Sequence, residues 1–250
     1  MKRKQAVALA AFGFLIFLAI WELAPTLGLV PPSVLPPPSV LPRAFLRELN
    51  SGVWISSLAT SLRNYLAGLC VGCFLGVSLG VATGMSVTLE ATLAWVVRLL
   101  RPIPGLAWVP FAILWFGIDP KAAIFIIGIG VFWICYFAAL GAVRAVDREL
   151  IELADAFGFR HAHQKLIKVI LPAAGPGILA GLRTALGQAW MAVVAAEIFG
   201  VPGLGQRMMQ ASNLLASDIV VVYMATMATL YGIIDALFVA VQSRLLRWKQ

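Results

Sequence analysis

The groups able to do chemistry are few and mostly gathered in one place. Arg144 to Pro172 reads RAVDRELIELADAFGFRHAHQKLIKVILP and holds both histidines, His161 and His163. Its first 25 residues, Arg144 to Lys168, carry 9 of the 30 formal charges. Two histidines separated by a single alanine do not share a helix face, no HExxH pattern occurs, and neither histidine has an intramembrane serine near it in sequence. No G-x-x-x-x-G-K-[ST] is present, nor any Gly-Lys pair, so the chain has no phosphate-cradling loop of its own. Cys70 and Cys73 form a CxxC inside an apolar run, where packing is the expected role rather than redox or metal chemistry. No catalytic residue and no metal ligand is assigned. Two acids remain, Glu197 and Asp235, both inside apolar runs. A carboxylate there costs about 2.5–3.5 kcal/mol on insertion and so faces a bundle interior or water. A proton-coupled secondary carrier would pair such acids with bases at mid-membrane. Only Arg63 and Arg183 come near, and both read as lying close to span ends.

The elements that position these groups are membrane spans. Hydrophobic residues make up 61% of the chain and charged ones 12%, with a mean hydropathy of +0.93. A soluble domain carries about 25% charged residues, so an all-α membrane protein is expected, one transmembrane domain over residues 1–250. Apolar runs predict six transmembrane helices at about 6–24, 56–84, 102–118, 122–143, 176–199 and 219–243. MKRK followed by an apolar run without a small-x-small site reads as an uncleaved first span. The net charge of +8 does not point to nucleic acid, because the basic residues sit at span edges. Fourteen Lys and Arg fall on one side: Lys2, Arg3, Lys4, Arg98, Arg101, Arg144, Arg148, Arg160, Lys165, Lys168, Arg183, Arg244, Arg247 and Lys249. Four fall on the other (Arg43, Arg47, Lys121, Arg207). The positive-inside rule makes the first side, with both termini and the polar stretch, cytoplasmic.

Two spans and the segment between the first two carry features of their own. Pro25 to Pro42 has seven prolines in 18 residues, which predicts an extended polyproline-like strap lying across neighbouring spans outside. Gly68, Gly72, Gly76, Gly80 and Gly84 recur every fourth residue. In lipid such a stripe lets two backbones approach closely, either within this chain or as a groove against which another helix slides. Pro102, Pro104 and Pro110 mark the third span as kinked, and kinked spans tend to line cavities. Its Trp108 and Trp115 are interface anchors or pathway walls. With Gln188, Trp190, Glu197 and Asp235 they make up the candidate translocation pathway.

Within the polar stretch, Leu150, Ile151, Leu153, Ala154 and Phe157, then Leu166, Ile167 and Ile170, recur at three- and four-residue intervals with charge on the opposite face. That is an amphipathic helix, a break at Gly158, and a second helix ended by Pro172. The acids Asp147, Glu149, Glu152 and Asp155 would be repelled by an anionic lipid surface; a protein partner suits them better.

ELADAFG at Glu152–Gly158, followed by VILP at Val169–Pro172, resembles the EAA signature of the inner-membrane permeases of ABC importers. RPIPGLAWVPFAILWFGI, LPAAGPGILAGLRTALGQAW and VAAEIFGVPGLG resemble the branch importing sulfonates, taurine, nitrate and related small anions, so the likeness covers nearly the whole chain. The resemblance implies a type I ABC importer permease fold, with a cytoplasmic coupling-helix loop at 144–172 docking on a separate ATPase. On that likeness Glu152 and Ala154 hold the first and third motif positions, with Leu153 in place of the middle alanine. Asp155 follows, Gly158 or Phe159 takes the glycine position, and Leu171 and Pro172 close the motif. It further implies a non-enzymatic subunit in a bacterial inner membrane, with ATP and Mg bound by the ATPase dimer and no cofactor in this chain. The other partners implied are a second permease copy and an extracytoplasmic solute-binding protein.

Overall fold

The computed structural model describes residues 3–159 and 161–246, and among these the only regular structure is helical. Lys2, Arg160, Arg247 and Lys249 lie outside the described residues. In chain order the helices are α1 (Arg3–Thr26), α2 (Leu41–Asn50), α3 (Val53–Met85), α4 (Val87–Leu100), α5 (Val109–Phe116) and α6 (Pro120–Arg144). Then follow α7 (Arg148–Ala156), α8 (Ala162–Lys165), α9 (Leu171–Ile198), α10 (Leu204–Asn213) and α11 (Ser217–Leu245).

The core is a three-helix slab with α6 in the middle. Each glycine of the α3 stripe abuts α6 so closely that a Cβ would overlap it. At Gly76 it would meet the Phe132 carbonyl at 2.5 Å, and at Gly80 the Tyr136 carbonyl at 2.4 Å. On the other flank of α6, Gly177 and Gly181 of α9 rest on Ala142 and Ala138 in the same manner, at 2.8 and 2.1 Å. Close approach multiplies dispersion contacts, the main source of helix association in lipid. Cys73 of the CxxC lies in this seam, its Sγ 3.5 Å from that of Cys135, while Cys70 is exposed. Tyr65 of α3 closes the slab, edge-on to Trp190 at 5.4 Å and donating to the Leu186 carbonyl at 3.3 Å.

Several expectations are corrected. The run 102–118, expected as one kinked span, is instead one limb of a sharper bend that begins before it. α4 and the segment Gly105–Phe116 are bent by 83°, because Pro102 and Pro104 lack the amide hydrogens a helix needs and Pro104 is extended (φ −63°, ψ 144°). The twelve residues of Gly105–Phe116 reach about 18 Å, short of a hydrocarbon core of about 30 Å. α4, which falls between the expected spans 56–84 and 102–118, is an apolar helix and the other limb of that bent pair. Among the described residues four helices are long and apolar enough to cross a membrane, and the bent pair makes up to five. α1 contributes the shorter apolar run Ala11–Thr26. The proline strap is also less extended than expected: Pro25 lies inside α1, and Pro42 sits in the first turn of α2. What remains is tied to its neighbours, with Trp21 Nε1 donating to the Pro36 carbonyl (3.0 Å), Ser39 Oγ to Glu22 (2.7 Å), and Ser217 to the Ser33 carbonyl.

Two polar knots hold the end of the slab where α2 and α10 lie. Glu48 of α2 accepts a bidentate fork from Arg207 of α10 (3.0 and 2.7 Å) and a bond from Tyr223 of α11 (2.8 Å). Glu197 at the end of α9 accepts from Ser61 of α3 (2.6 Å) and from the backbone of Gly205 (2.8 Å), while Ser61 Oγ accepts from the Leu204 amide (2.9 Å). Both carboxylates are thus satisfied where a bare one would be costly.

Two outcomes are expected. Gly80→Ala should cost about 1–3 kcal/mol by overpacking, whereas Gly141→Ala, with open space around its Cβ, should be neutral or stabilising; thermal melting in detergent reads both. The Arg207 guanidinium holds the Glu48 carboxyl below its ordinary 4.5. Its contribution is therefore complete above that value and lost as pH falls through the depressed one. Glu48→Gln should cost about 3 kcal/mol at neutral pH, and the gap to the unaltered protein should close in acid.

Candidate functional site

The polar stretch folds as a short helix fixed to the slab by one face. α7 starts after Asp147 with Glu149 in its first turn, where an acid complements the helix dipole. It stops at Gly158, whose φ of +85° suits glycine. The Gly158 amide donates to the Asp155 carbonyl (3.0 Å) and that of Phe159 to Ala154 (2.9 Å). The inner face of α7 is buried: Ala154 is enclosed, and Ile151 and Leu166 pack on Val81, Ala139, Val143, Val146, Ile170 and Ala174. These belong to the ends of α3 and α6, the short link after α6 (Val146), and the turn (Ile170) and first residues of α9. Asp155 pairs with Lys165 at 2.6 Å, and Lys168 Nζ stands 4.6 Å from the centre of the Phe159 ring. At the end of α6, Arg144 pairs with Glu90 of α4.

The outer face of α7 has no covering. Leu150, Leu153 and Phe157 form an apolar edge, with Phe157 72% exposed, flanked by the exposed acids Glu149 and Glu152. Behind this edge is an open hollow lined by Leu153, Phe157, Phe159, Lys168 and Pro172. An amphipathic helix with its inner face packed and an apolar outer edge left open offers a surface for a partner.

Here too the structure corrects the expectations. Pro172 does not end the second helix; Ala162–Ile198 runs continuously. The turn Leu166–Ile170 widens to π-helix just ahead of the proline, which accommodates the missing amide and the ring. Leu171 and Pro172 therefore belong to the shaft of α9. His161 stands before α8 rather than on it (φ −87°, ψ 139°), so the two histidine rings stack at 5.6 Å. Among the described residues no group of three His, Cys, Asp or Glu could hold a metal ion.

The six pathway candidates do not converge. Trp108 and Trp115 join Phe111 and Phe116 of the bent segment and Phe125 of α6 in an aromatic cluster. Trp190 is buried against Tyr65. Glu197 is 0% exposed and spent on its knot, so it faces no passage in this conformation. Gln188 is exposed on α9, one residue from Gly187, which meets α11. Asp235 pairs with Arg183, supplying the acid–base pair that reading Arg183 at a span end had missed; α9 extends well past it on both sides.

Residues 68–247 match the family of binding-protein-dependent transport system inner membrane components. The aliphatic sulfonates transport permease protein SsuC of Bacillus subtilis is 34% identical over 94% of this chain and 85% of its own length. The taurine transport system permease protein TauC of Escherichia coli is 33% identical, over 98% and 90%. The bicarbonate transport system permease protein CmpB of Synechocystis is 32% identical, over 82% and 76%. Among solved structures, the inward-facing MetNI methionine ABC transporter shares the fold, with a TM-score of 0.65 at 23% identity over 78% of this chain and 95% of that one. The chain belongs to the binding-protein-dependent transport system inner membrane components, a family of ABC transporter permeases rather than enzymes.

Proposed function

We propose that this permease imports a small anion, an aliphatic sulfonate or taurine first and nitrate or bicarbonate next, driven by a cytoplasmic ATPase that grips α7. The carrying observation is the open apolar edge Leu150–Leu153–Phe157 on a helix whose opposite face is packed onto α3, α6 and α9. Burying such side chains contributes about 1.5–3 kcal/mol each, enough for a dimer of ATPases to hold and pull. The names of SsuC, TauC and CmpB support the solute class. In this reading α7 and both termini are cytoplasmic, and Glu152, Leu153, Ala154, Asp155, Gly158 and Phe159 form the coupling segment. Leu171 and Pro172 carry the pull into α9. A second copy of the chain completes the passage, with the Gly68–Gly84 stripe committed to packing within each copy, and an extracytoplasmic binding protein delivers the solute. Two α7 levers drawn together by ATPase closure would rotate the slabs as rigid bodies between inward- and outward-open states.

Co-expression with the cognate ATPase tests the coupling. Phe157→Asp and Gly158→Trp should each stop the ATPase from co-purifying and reduce ATP-dependent taurine uptake into vesicles at least about tenfold, the scale of losing an anchor side chain from an interface. Helix content by circular dichroism should not change. Full uptake by both variants would remove α7 from the mechanism.

A further inference from the structure

The pair Arg183–Asp235 differs from Glu48–Arg207, the other two-point fork among the described residues. Its geometry is a parallel fork, Nε to Oδ1 at 3.0 Å and Nη2 to Oδ2 at 2.9 Å. Yet the two side chains remain 50% and 28% exposed. The Glu48–Arg207 fork uses the same groups, but there the side chains are 6% and 24% exposed and Tyr223 caps the carboxylate. One fork is closed and the other open.

The open fork lies deep along its helices. Arg183 precedes Ile198, the end of α9, by 15 residues, and Asp235 follows Ser217, the start of α11, by 18. At 1.5 Å per residue these are about 22 and 27 Å. The opposite ends, Leu171 and Leu245, are 12 and 10 residues away, about 18 and 15 Å. The pair thus stands well inside two helices that are each longer than a hydrocarbon core of about 30 Å. Leu230, Ile233, Ile234, Leu237 and Phe238 surround Asp235 in sequence. An exposed charge pair at that depth is expensive against lipid and is found where water or a passage faces it.

A second rung follows. Position 187, one turn beyond Arg183, is glycine, and a Cβ there would lie 2.9 Å from the Tyr231 hydroxyl, itself one turn before Asp235 on α11. The missing side chain brings a phenol to the same seam. On the adjacent strip of α9, Thr184 and Gln188 are exposed. The seam thus sets a guanidinium with unused N–H groups near a hydroxyl donor, with a carboxylate occupying the place of an anion.

From this we infer that the α9–α11 seam is an anion-exchange station: a sulfonate or similar oxyanion takes the Arg183 fork in place of Asp235, with Tyr231 as a further donor. The inference deepens the transport reading above and rests on it. Arg presents a planar fork matched to oxyanions. Asp235, as resting counter-ion, keeps the empty site neutral. By competing for the fork it also keeps solute binding weak, which passage requires.

The test uses the purified chain in detergent at constant ionic strength, titrated with ethanesulfonate and, as neutral isostere, ethyl methyl sulfone; the melting midpoint is followed. The unaltered protein should show a saturable rise with ethanesulfonate and none with the sulfone. Asp235→Asn should lower the half-saturating concentration about tenfold by removing the competitor. Arg183→Gln should abolish the response, and Arg183→Lys should weaken it. If every variant melts lower but the half-saturating concentration stays the same, the fork is only a staple and the inference falls. If Arg183→Gln does not fold, Asp235→Asn decides alone. The transport reading is separated by ATP-dependent ethanesulfonate uptake in the assembled complex. Uptake that survives Arg183→Gln overturns the station and leaves the transporter. Tighter anion binding by Asp235→Asn without any uptake in the unaltered complex keeps the station and overturns the transport reading.

Discussion

Everything in this molecule depends on how closely α6 is gripped. Glycines of α3 press against its backbone and Cβ atoms on one flank, and Gly177 and Gly181 rest on Ala142 and Ala138 on the other. At these contacts only short side chains, if any, lie between the two helices. A slab joined this way responds to force as a block, since packed interfaces switch between discrete arrangements rather than deform continuously. The glycines would each cost about 1 kcal/mol in a helix in water; in lipid they make α6 an axle.

The polar groups are then distributed by task along this block. At the end holding α2 and α10, Glu197 and Glu48 are fully engaged and tie α2, α3, α9, α10 and α11 together. At the opposite end, the α7 lever keeps only its inner face engaged, anchored by Ile151 and Ala154 and pinned by Asp155–Lys165. Between them lies the half-open Arg183–Asp235 fork. Closed knots suit parts that must hold, and open surfaces suit parts that must bind and release.

Much of this was legible in the chain. The four-residue glycine spacing announced a close helix contact, and the Arg144–Pro172 stretch announced a surface helix and its break at Gly158. Local signals of this kind lie within a turn or two of sequence. What was not legible depends on partners far away in the chain. Glu48 meets Arg207 across 159 residues and Arg183 meets Asp235 across 52, so neither acid reveals whether it is knotted or exposed. α2 and α10 are short amphipathic helices between proline- and glycine-rich turns, which hid them as loops. The prolines misled in both directions. Pro104 breaks its segment into an 83° bend rather than a kink, while Pro172 is absorbed by a π-turn and breaks nothing.

If the slab transmits force, α7, α6 and α9 move as one body. Double electron–electron resonance can follow this in the assembled transporter lacking its three native cysteines, with spin labels on Glu149 of α7 and Lys121 at the far end of α6. A rigid lever predicts that this distance within one chain stays the same when nucleotide binds, while the Glu149–Glu149 distance between two copies shortens. A change in the Glu149–Lys121 distance with no change between copies would mean that α7 swings on its own, and that the slab transmits nothing.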